Sequence, residues 1–166
     1  SADHINRFIQ HTNPSSVLYN SSGIHFKQND KVIFLKNSED YKLYNGTILY
    51  IEKIEPDGSQ VHFEFANKST FIGTKIFTCA ASDINQYVKL CYAMTIHKSQ
   101  SAGFETVFLI LNVYPAIMWD VKLIYTAISR AKKKCYISGR EAVIQKSCKV
   151  TRNRVTSFAD ILQRSD

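Results

Sequence analysis

The sequence predicts an α/β chain interrupted by a small all-β segment. Three observations predict it. The first residues have helical spacing, residues 24–85 carry short strands separated by strong turn signals, and from residue 86 unbroken apolar runs alternate with helical stretches. Strand–helix–strand alternation of the last kind implies a parallel sheet.

Ile5, Phe8 and Ile9 stand at i, i+3 and i+4, the stripe of an amphipathic helix over residues 2–11. Asn13-Pro14 ends it, because the residue before a proline avoids the helical region. Ser15 to Gly23 is polar and reads as a loop. Lys31 to Lys36 is a short β-branched and aromatic run, Asn45-Gly46 is a turn, Thr47–Ile54 a strand and Pro56–Ser59 the next turn. Val61, Phe63 and Phe65 alternate with His62 and Glu64, the period of a half-buried strand. Phe71–Cys79 supplies one more strand. Short strands at such close spacing suggest a small barrel.

Beyond residue 86, Tyr87–Met94 reads as a buried strand. Val107–Leu111 has no polar alternation, as expected for a central parallel strand covered on both faces. Trp119–Ala131 has helical spacing, Cys135–Ile137 is a third strand, and Arg140–Cys148 and Ser157–Arg164 read as helices, the last with Ser157 as N-cap.

Composition narrows the function classes. The 166 residues are 45% apolar and 21% charged, enough for one ordinary domain or two small ones with a real core. No apolar run approaches the ~20 residues that span a bilayer, so no membrane partner is expected. The opening residues have neither the charged nor the apolar region of a signal peptide and read like the middle of a helix, as in a piece of a longer protein. Cys79, Cys91, Cys135 and Cys148 form no C-x-x-C pair and have no histidine at finger spacing; buried free thiols in an intracellular protein (host cytoplasm or nucleus) are expected, and no metal site. Few Gly and Pro with many Lys, Asn and Ile would suit an AT-rich genome, a viral one included.

Net charge is +7, but residues 122–154 hold ten bases against the single acid Glu141, a local +9. Such asymmetry points to a polyanionic partner, nucleic acid first; a solvated basic face is the plain alternative.

Two segments carry chemistry. Thr95-Ile-His-Lys-Ser-Gln100 follows an expected core strand, and open α/β sheets bind ligands past the carboxyl ends of their strands. Its hydroxyl, imidazole, ammonium and amide groups suit phosphate oxygens. In Leu123–Ala131, Leu123, Ala127 and Arg130 fall near one helix face, with Arg130 at the C-terminal end. An arginine there can set a bidentate fork on a phosphate; the ordinary reading of a lone arginine is a surface charge.

Together, YAMTIHKSQ…FETVFLIL…LIYTAISRAKKKCYI closely resembles motifs V and VI of RecD-like superfamily 1 DNA helicases, T-x-H-K-[SA]-Q-G-x-E-[FY], a strand, then Y-[TV]-A-[LI]-[ST]-R-[AG]. DKVIFLKN…YKLYNGTILYI resembles the G-D-x-V…N…NG-x-x-G-x-I pattern of their SH3-like insertion. INRFIQHTNP resembles the helix that opens their second motor domain, and REAVIQKSCKVTRNRVTSFADIL their C-terminal helices.

The resemblance implies a RecA-like parallel sheet with helices on both faces plus an inserted SH3-like β-barrel. Residues 1–23 would open the second motor domain, 24–85 would be the insertion, and 86–166 would complete the motor domain. It implies that Arg130 contacts the γ-phosphate of ATP as an arginine finger, with Lys98, Gln100 and Gly103 also near the nucleotide. Thr95, His97, Lys98 and Ser99 would lie near single-stranded DNA. ATP and Mg²⁺ would be held mainly by the first RecA-like motor domain, because this chain has no G-x-x-x-x-G-K-[ST] phosphate loop. The activity implied is that of a 5′-to-3′ DNA helicase in replication or repair, this piece alone being inactive. Lys132–Lys134 are expected to be surface charge.

Two positions depart from the pattern. Ser101 replaces its glycine and Gly103 its acid, leaving Glu105 as the next carboxylate; a one-residue shift of the loop would bring Gly103 into the glycine's role. These departures favour a second reading, a non-catalytic single-stranded nucleic-acid-binding module of helicase shape. A third is a domain whose β segment docks a protein, such as a replication or repair factor.

Overall fold

A computed structural model describes residues 1–21, 23–66, 73–100, 102–111 and 120–149. The expected helix at Ser157, Ser101, and the ends of the strand at Phe71 and the helix at Trp119 lie outside them. The chain forms two compact units, Ser1–Thr95 and Ile96–Asp166. Among the described residues, no helix is long and apolar enough to cross a membrane.

The first unit opens with helix α1 (Ala2–Thr12), which stops before Pro14 with Asn13 extended. Strands β1 (Val17–Ser21) and β2 (Ile24–Lys27) pair antiparallel. Then come β3 (Lys31–Phe34), β4 (Ile48–Asp57), β5 (Gln60–Ala66) and β6 (Lys75–Ala80). The short helix α2 (Ile84–Tyr87) leads into β7 (Val88–Leu90). Five of these strands form an antiparallel sheet in the order β6-β5-β4-β3-β7.

The period-2 pattern holds along β5: Val61, Phe63 and Phe65 are buried, and Phe63 stacks on Phe65 at 5.4 Å between ring centroids. Phe34 meets Phe77 edge to face at 4.9 Å, and Leu49, Ile51, Val32 and Leu43 fill the space between. Gly46 (φ 89°) takes the left-handed conformation that the Asn45-Gly46 turn requires. Pro56 lies inside β4, which reaches a two-residue turn at Gly58 and Ser59. There β4 pairs only with β5, because β3 leaves it after Tyr50, so the proline's missing N–H costs no ladder bond on the β3 side.

The loop expected over Ser15–Gly23 contains strand β1, the turn expected over Pro56–Ser59 is confined to Gly58 and Ser59, and three further expectations need correction in this unit. The small barrel is not closed: among the described residues β6 and β7 are the two edges of an open sheet. Tyr87–Met94 is not a strand of a parallel sheet. Only Val88–Leu90 is extended, and it pairs antiparallel with β3, where the free edge of β3 offers unpaired backbone groups. Helix α1 buries its apolar stripe only in part, with Ile5 and Ile9 half-buried. It turns Asn6 and Gln10 inward, while Phe8 is 68% exposed.

The second unit holds β8 (Phe104–Leu111), α3 (Val121–Ile128), β9 (Ala131–Gly139) and α4 (Glu141–Ser147). β8 and β9 are parallel, as the alternation predicts. Leu109 and Leu111 face Ile124 and Ala127 of α3 and Ile144 of α4. Gly139 is required at the end of β9, because a Cβ there would sit 2.9 Å from the Leu111 carbonyl oxygen.

Among the described residues, helices cover strand β8 on one face. Both described helices join the Leu109–Leu111 cluster, while Phe108 and Tyr136 stack at 4.9 Å on the other face, 72% and 50% exposed. Helices on both faces of a larger parallel sheet are therefore not present among the described residues. The strand at Cys135 is also longer than its apolar core: it starts at Ala131 and takes in Lys132–Lys134, whose exposed side chains the sheet tolerates at its solvent side.

Candidate nucleotide and nucleic-acid interface

The polar segment is built by a single 3₁₀ turn, His97–Ser99. Ser99 makes the turn: its backbone N–H and its hydroxyl both donate to the Ile96 carbonyl, at 3.1 and 2.7 Å. Ile96 packs on the Leu109 cluster and anchors the turn to β8. Gln100 N–H donates to His97 O, and Ala102 N–H to Ser99 O, so the chain folds back before β8 begins. The result is a division of labour within four residues. His97, Lys98 and Gln100 are exposed, whereas Ser99 is 8% exposed with its hydroxyl spent on the backbone. Thr95, also exposed, is the last residue of the first unit.

Arg130 follows α3. Asp120 caps the start of that helix, its carboxylate accepting Leu123 N–H at 2.7 Å. Arg130 closes the other end: Nε donates to Thr126 O at 3.1 Å and Nη2 to Ser129 Oγ at 3.1 Å. A cation at a helix C-terminus is favourably placed against the dipole. Among the described residues no carboxylate pairs with it. A guanidinium has five N–H donors, and these two bonds leave the rest for a ligand.

Parallel pairing brings the two segments together. Phe104 N–H donates to Arg130 O at 2.8 Å, and Phe104 aligns with Ala131. A Cβ on Gly103 would lie 4.0 Å from Arg130 O and 3.1 Å from Lys132 Cε. Gly103 has no left-handed φ, and a Cβ there would press only on the yielding end of the Lys132 side chain. Turn and arginine thus flank the amino ends of β8 and β9. The rule that ligands sit past carboxyl ends does not explain this place, because β7 belongs to a different sheet. Glu105, the nearest acid to the departures at 101 and 103, is taken by Lys133 at 2.6 Å, both side chains being well exposed.

Asp30, the acid of the G-D-x-V pattern, is the centre of a polar cluster that the pattern does not describe. Asp30 is fully buried, and each of its oxygens accepts two hydrogen bonds. Asn13 Nδ2 (2.9 Å) and Tyr92 Oη (2.8 Å) donate to Oδ1; Lys27 N (2.8 Å) and Gln10 Nε2 donate to Oδ2. Burial, then the bond to Asp30, pushes the Tyr92 hydroxyl from 10.0 up to about 12. Lys27 Nζ caps the end of α1 through Gln10 O and Asn13 O. Asn29, where the SH3-like pattern has glycine, is left-handed (φ 63°), a conformation asparagine tolerates. Cys79 and Cys91 are buried, with the Cys79 thiol pushed up to about 11 by burial and by Asp83, but Cys148 is exposed, against the expectation of buried thiols throughout.

Comparison with known proteins agrees with this geometry. Residues 90–138 match the family described as UvrD-like helicase C-terminal domain. The chain is 26% identical over 144 residues to the ATP-dependent RecD2 DNA helicase of Deinococcus radiodurans, covering 86% of this chain and 19% of that protein. It is 36% identical over 58 residues to the RecBCD enzyme subunit RecD of Mycobacterium tuberculosis, 35% of this chain and 10% of that one. In structure it is similar to a Pif1 helicase from Bacteroides, crystallised with ADP-AlF3 and single-stranded DNA: TM-score 0.56 and 16% identity over 98% of this chain and 43% of the other. The chain thus spans less than half the length of each. The parallel β8–α3–β9 unit lies within the segment similar to the helicase C-terminal domain, and 86% of the chain is similar to a RecD-like superfamily 1 helicase.

Proposed function

We propose that this chain is the C-terminal part of an ATP-dependent 5′-to-3′ DNA helicase and supplies that motor with its arginine finger and with contacts to single-stranded DNA. In this reading the second unit belongs to a RecA-like motor domain, and the antiparallel sheet of the first unit is an SH3-like insertion. The observation that carries it is Arg130: a half-exposed guanidinium with no described carboxylate partner, backbone-bonded to the strand that leaves the His97–Gln100 turn. The chain's similarity to an ATP-dependent DNA helicase and, in fold, to a helicase crystallised with ADP-AlF3 and single-stranded DNA supports the same reading.

The donor set fits a triphosphate. Arg130 offers a planar fork, Lys98 an ammonium and Gln100 an amide, all to some degree exposed. ATP would lie between this domain and the first motor domain, which would also hold most of the Mg²⁺ ligands. Mg²⁺ there neutralises phosphate charge. The work of Arg130 is electrostatic: it stabilises charge that grows on the γ-phosphoryl oxygens in the transition state. Thr95 and His97 would touch the strand, while Ser99 acts by holding the turn.

The test is a full-length protein carrying both motor domains. DNA-stimulated ATP hydrolysis should be lost in Arg130→Ala while binding of oligothymidylate persists. Loss of both would refute the assigned role. Binding without turnover in the unmodified protein would favour the non-catalytic module, to which the pairing of Glu105 with Lys133 lends support. The 166-residue chain alone should not hydrolyse ATP.

A further inference from the structure

A helix pressed against a sheet usually turns apolar residues inward, because burial of apolar area is the dominant favourable term. In helix α1 the two fully buried side chains are polar, Asn6 (4% exposed) and Gln10 (6%), while Ile5 and Ile9 are only half-buried and Phe8 is in solvent. The Asn6 carboxamide grips the chain just beyond β7. Nδ2 donates to Leu90 O at 3.1 Å and Ala93 O at 3.0 Å, and Ala93 N–H donates to Oδ1 at 2.6 Å. Both amide hydrogens and the oxygen are thereby used on a segment that has left the sheet ladder. Between the two gripped residues, Tyr92 donates to the buried Asp30 carboxylate, which Gln10 of the same helix also reaches. Side-chain bonds of this kind are directional and fix register where apolar packing would allow sliding. Two residues after Ala93 comes Thr95, exposed at the end of the unit.

We propose that Asn6 is a positioning residue for Thr95: with Tyr92 and Asp30 it holds the Leu90–Ala93 backbone in one register, so that the Thr95 hydroxyl is presented to single-stranded nucleic acid in a fixed place. This rests on the reading of Thr95 as a strand contact. It assigns α1 a function beyond capping the sheet, and it accounts for a polar helix face where an apolar one would pack as well.

The test uses the full-length protein and oligothymidylate. Asn6→Leu is similar in volume and keeps the interface packed while removing the grip; Tyr92→Phe removes only the bond to Asp30. Each should raise the Kd for the oligonucleotide roughly threefold to tenfold, with the KM for ATP changed less than about twofold. Thr95→Val should raise Kd by itself, and Asn6→Leu added to Thr95→Val should weaken binding no further, as expected when one residue acts through the other. A merely structural Asn6 would lower the unfolding midpoint and leave that non-additivity absent. Effects that add, or an unchanged Kd in Asn6→Leu and Tyr92→Phe while Thr95→Val raises it, would overturn the positioning role. An unchanged Kd in Thr95→Val would instead remove the strand contact on which it rests.

Discussion

The backbone N–H of Phe104 donates to the carbonyl oxygen of Arg130 at 2.8 Å. This bond opens the parallel ladder between β8 and β9 and joins the end of one motif to the end of the other. It fixes where Arg130 starts from, while the bonds to Thr126 and Ser129 hold its guanidinium beside its own helix.

Because both acceptors are neutral, a phosphate, which adds charge pairing to the hydrogen bond, should displace them. In the full-length protein Arg130→Ala should lower kcat for DNA-stimulated hydrolysis by about 10³-fold or more, the range for arginine fingers. Arg130→Lys should recover little, since a lysine lacks the planar fork. Steady-state turnover beside oligothymidylate Kd checks both; a fully active Arg130→Lys would count against bidentate contact.

The salt dependence of strand binding should distinguish Lys98 from Lys133. Lys98 lies on the exposed His97–Ser99 turn that the proposed function puts beside the strand, and Lys133 lies on β9 and pairs with Glu105 at 2.6 Å. Lys98→Ala should reduce the slope of log Kobs against log salt by about 0.7, the value of one released counterion on a single strand. Lys133→Ala should leave it nearly unchanged. Titrations at several salt concentrations measure the slopes directly.

Asp30→Ala would strand four donors, those of Gln10, Asn13, Tyr92 and the Lys27 backbone, in a site closed to water. The expected loss is about 3–5 kcal/mol, the cost of breaking a buried hydrogen-bonded charge. Asp30→Asn keeps the shape and one acceptor oxygen and should cost less. Urea unfolding followed by tyrosine fluorescence would order the three proteins.

The Tyr92 hydroxyl titrates near 12 in the fold and near 10.0 without it. The folded state therefore keeps a proton that the unfolded chain gives up, and stability falls as pH rises through this window. Below about pH 10.0 the contribution is complete. Tyr92→Phe should flatten that alkaline limb, which denaturation at pH 9 to 12 would register.

At the far end of the same ladder, Gly139→Ala should destabilise the second unit by about 1–3 kcal/mol, the usual cost of overpacking, because its Cβ would meet the Leu111 carbonyl at 2.9 Å. Gly103→Ala should be nearly neutral in stability, since its Cβ meets a flexible lysine side chain. Thermal unfolding of the pair compares a rigid neighbour with a yielding one.

Much of this protein is written in short-range patterns. The alternation of Val61, Phe63 and Phe65 sets the buried face of β5, Asn45-Gly46 turns the chain, and Pro14 stops α1, because each acts through neighbours a few residues away. The segments around His97 and Arg130 were legible as motifs, and the parallel β8–α3–β9 unit followed from alternation. Ser99 was legible as part of a motif but not as a buried turn-maker, since its partner Ile96 had first to be anchored on a core that the motif does not contain.

The sequence by itself marked α1, β5 and the β8–α3–β9 alternation, and it suggested which residues could meet phosphate. Tertiary structure alone decided that Val88–Leu90 joins the antiparallel sheet, that α1 buries Asn6 in place of Phe8, and that Asp30 gathers four donors. The reason is range. Asn6 meets its partners 84 and 87 residues away, and no local period records a hydrogen bond whose two ends are brought together only when the sheet between them has formed.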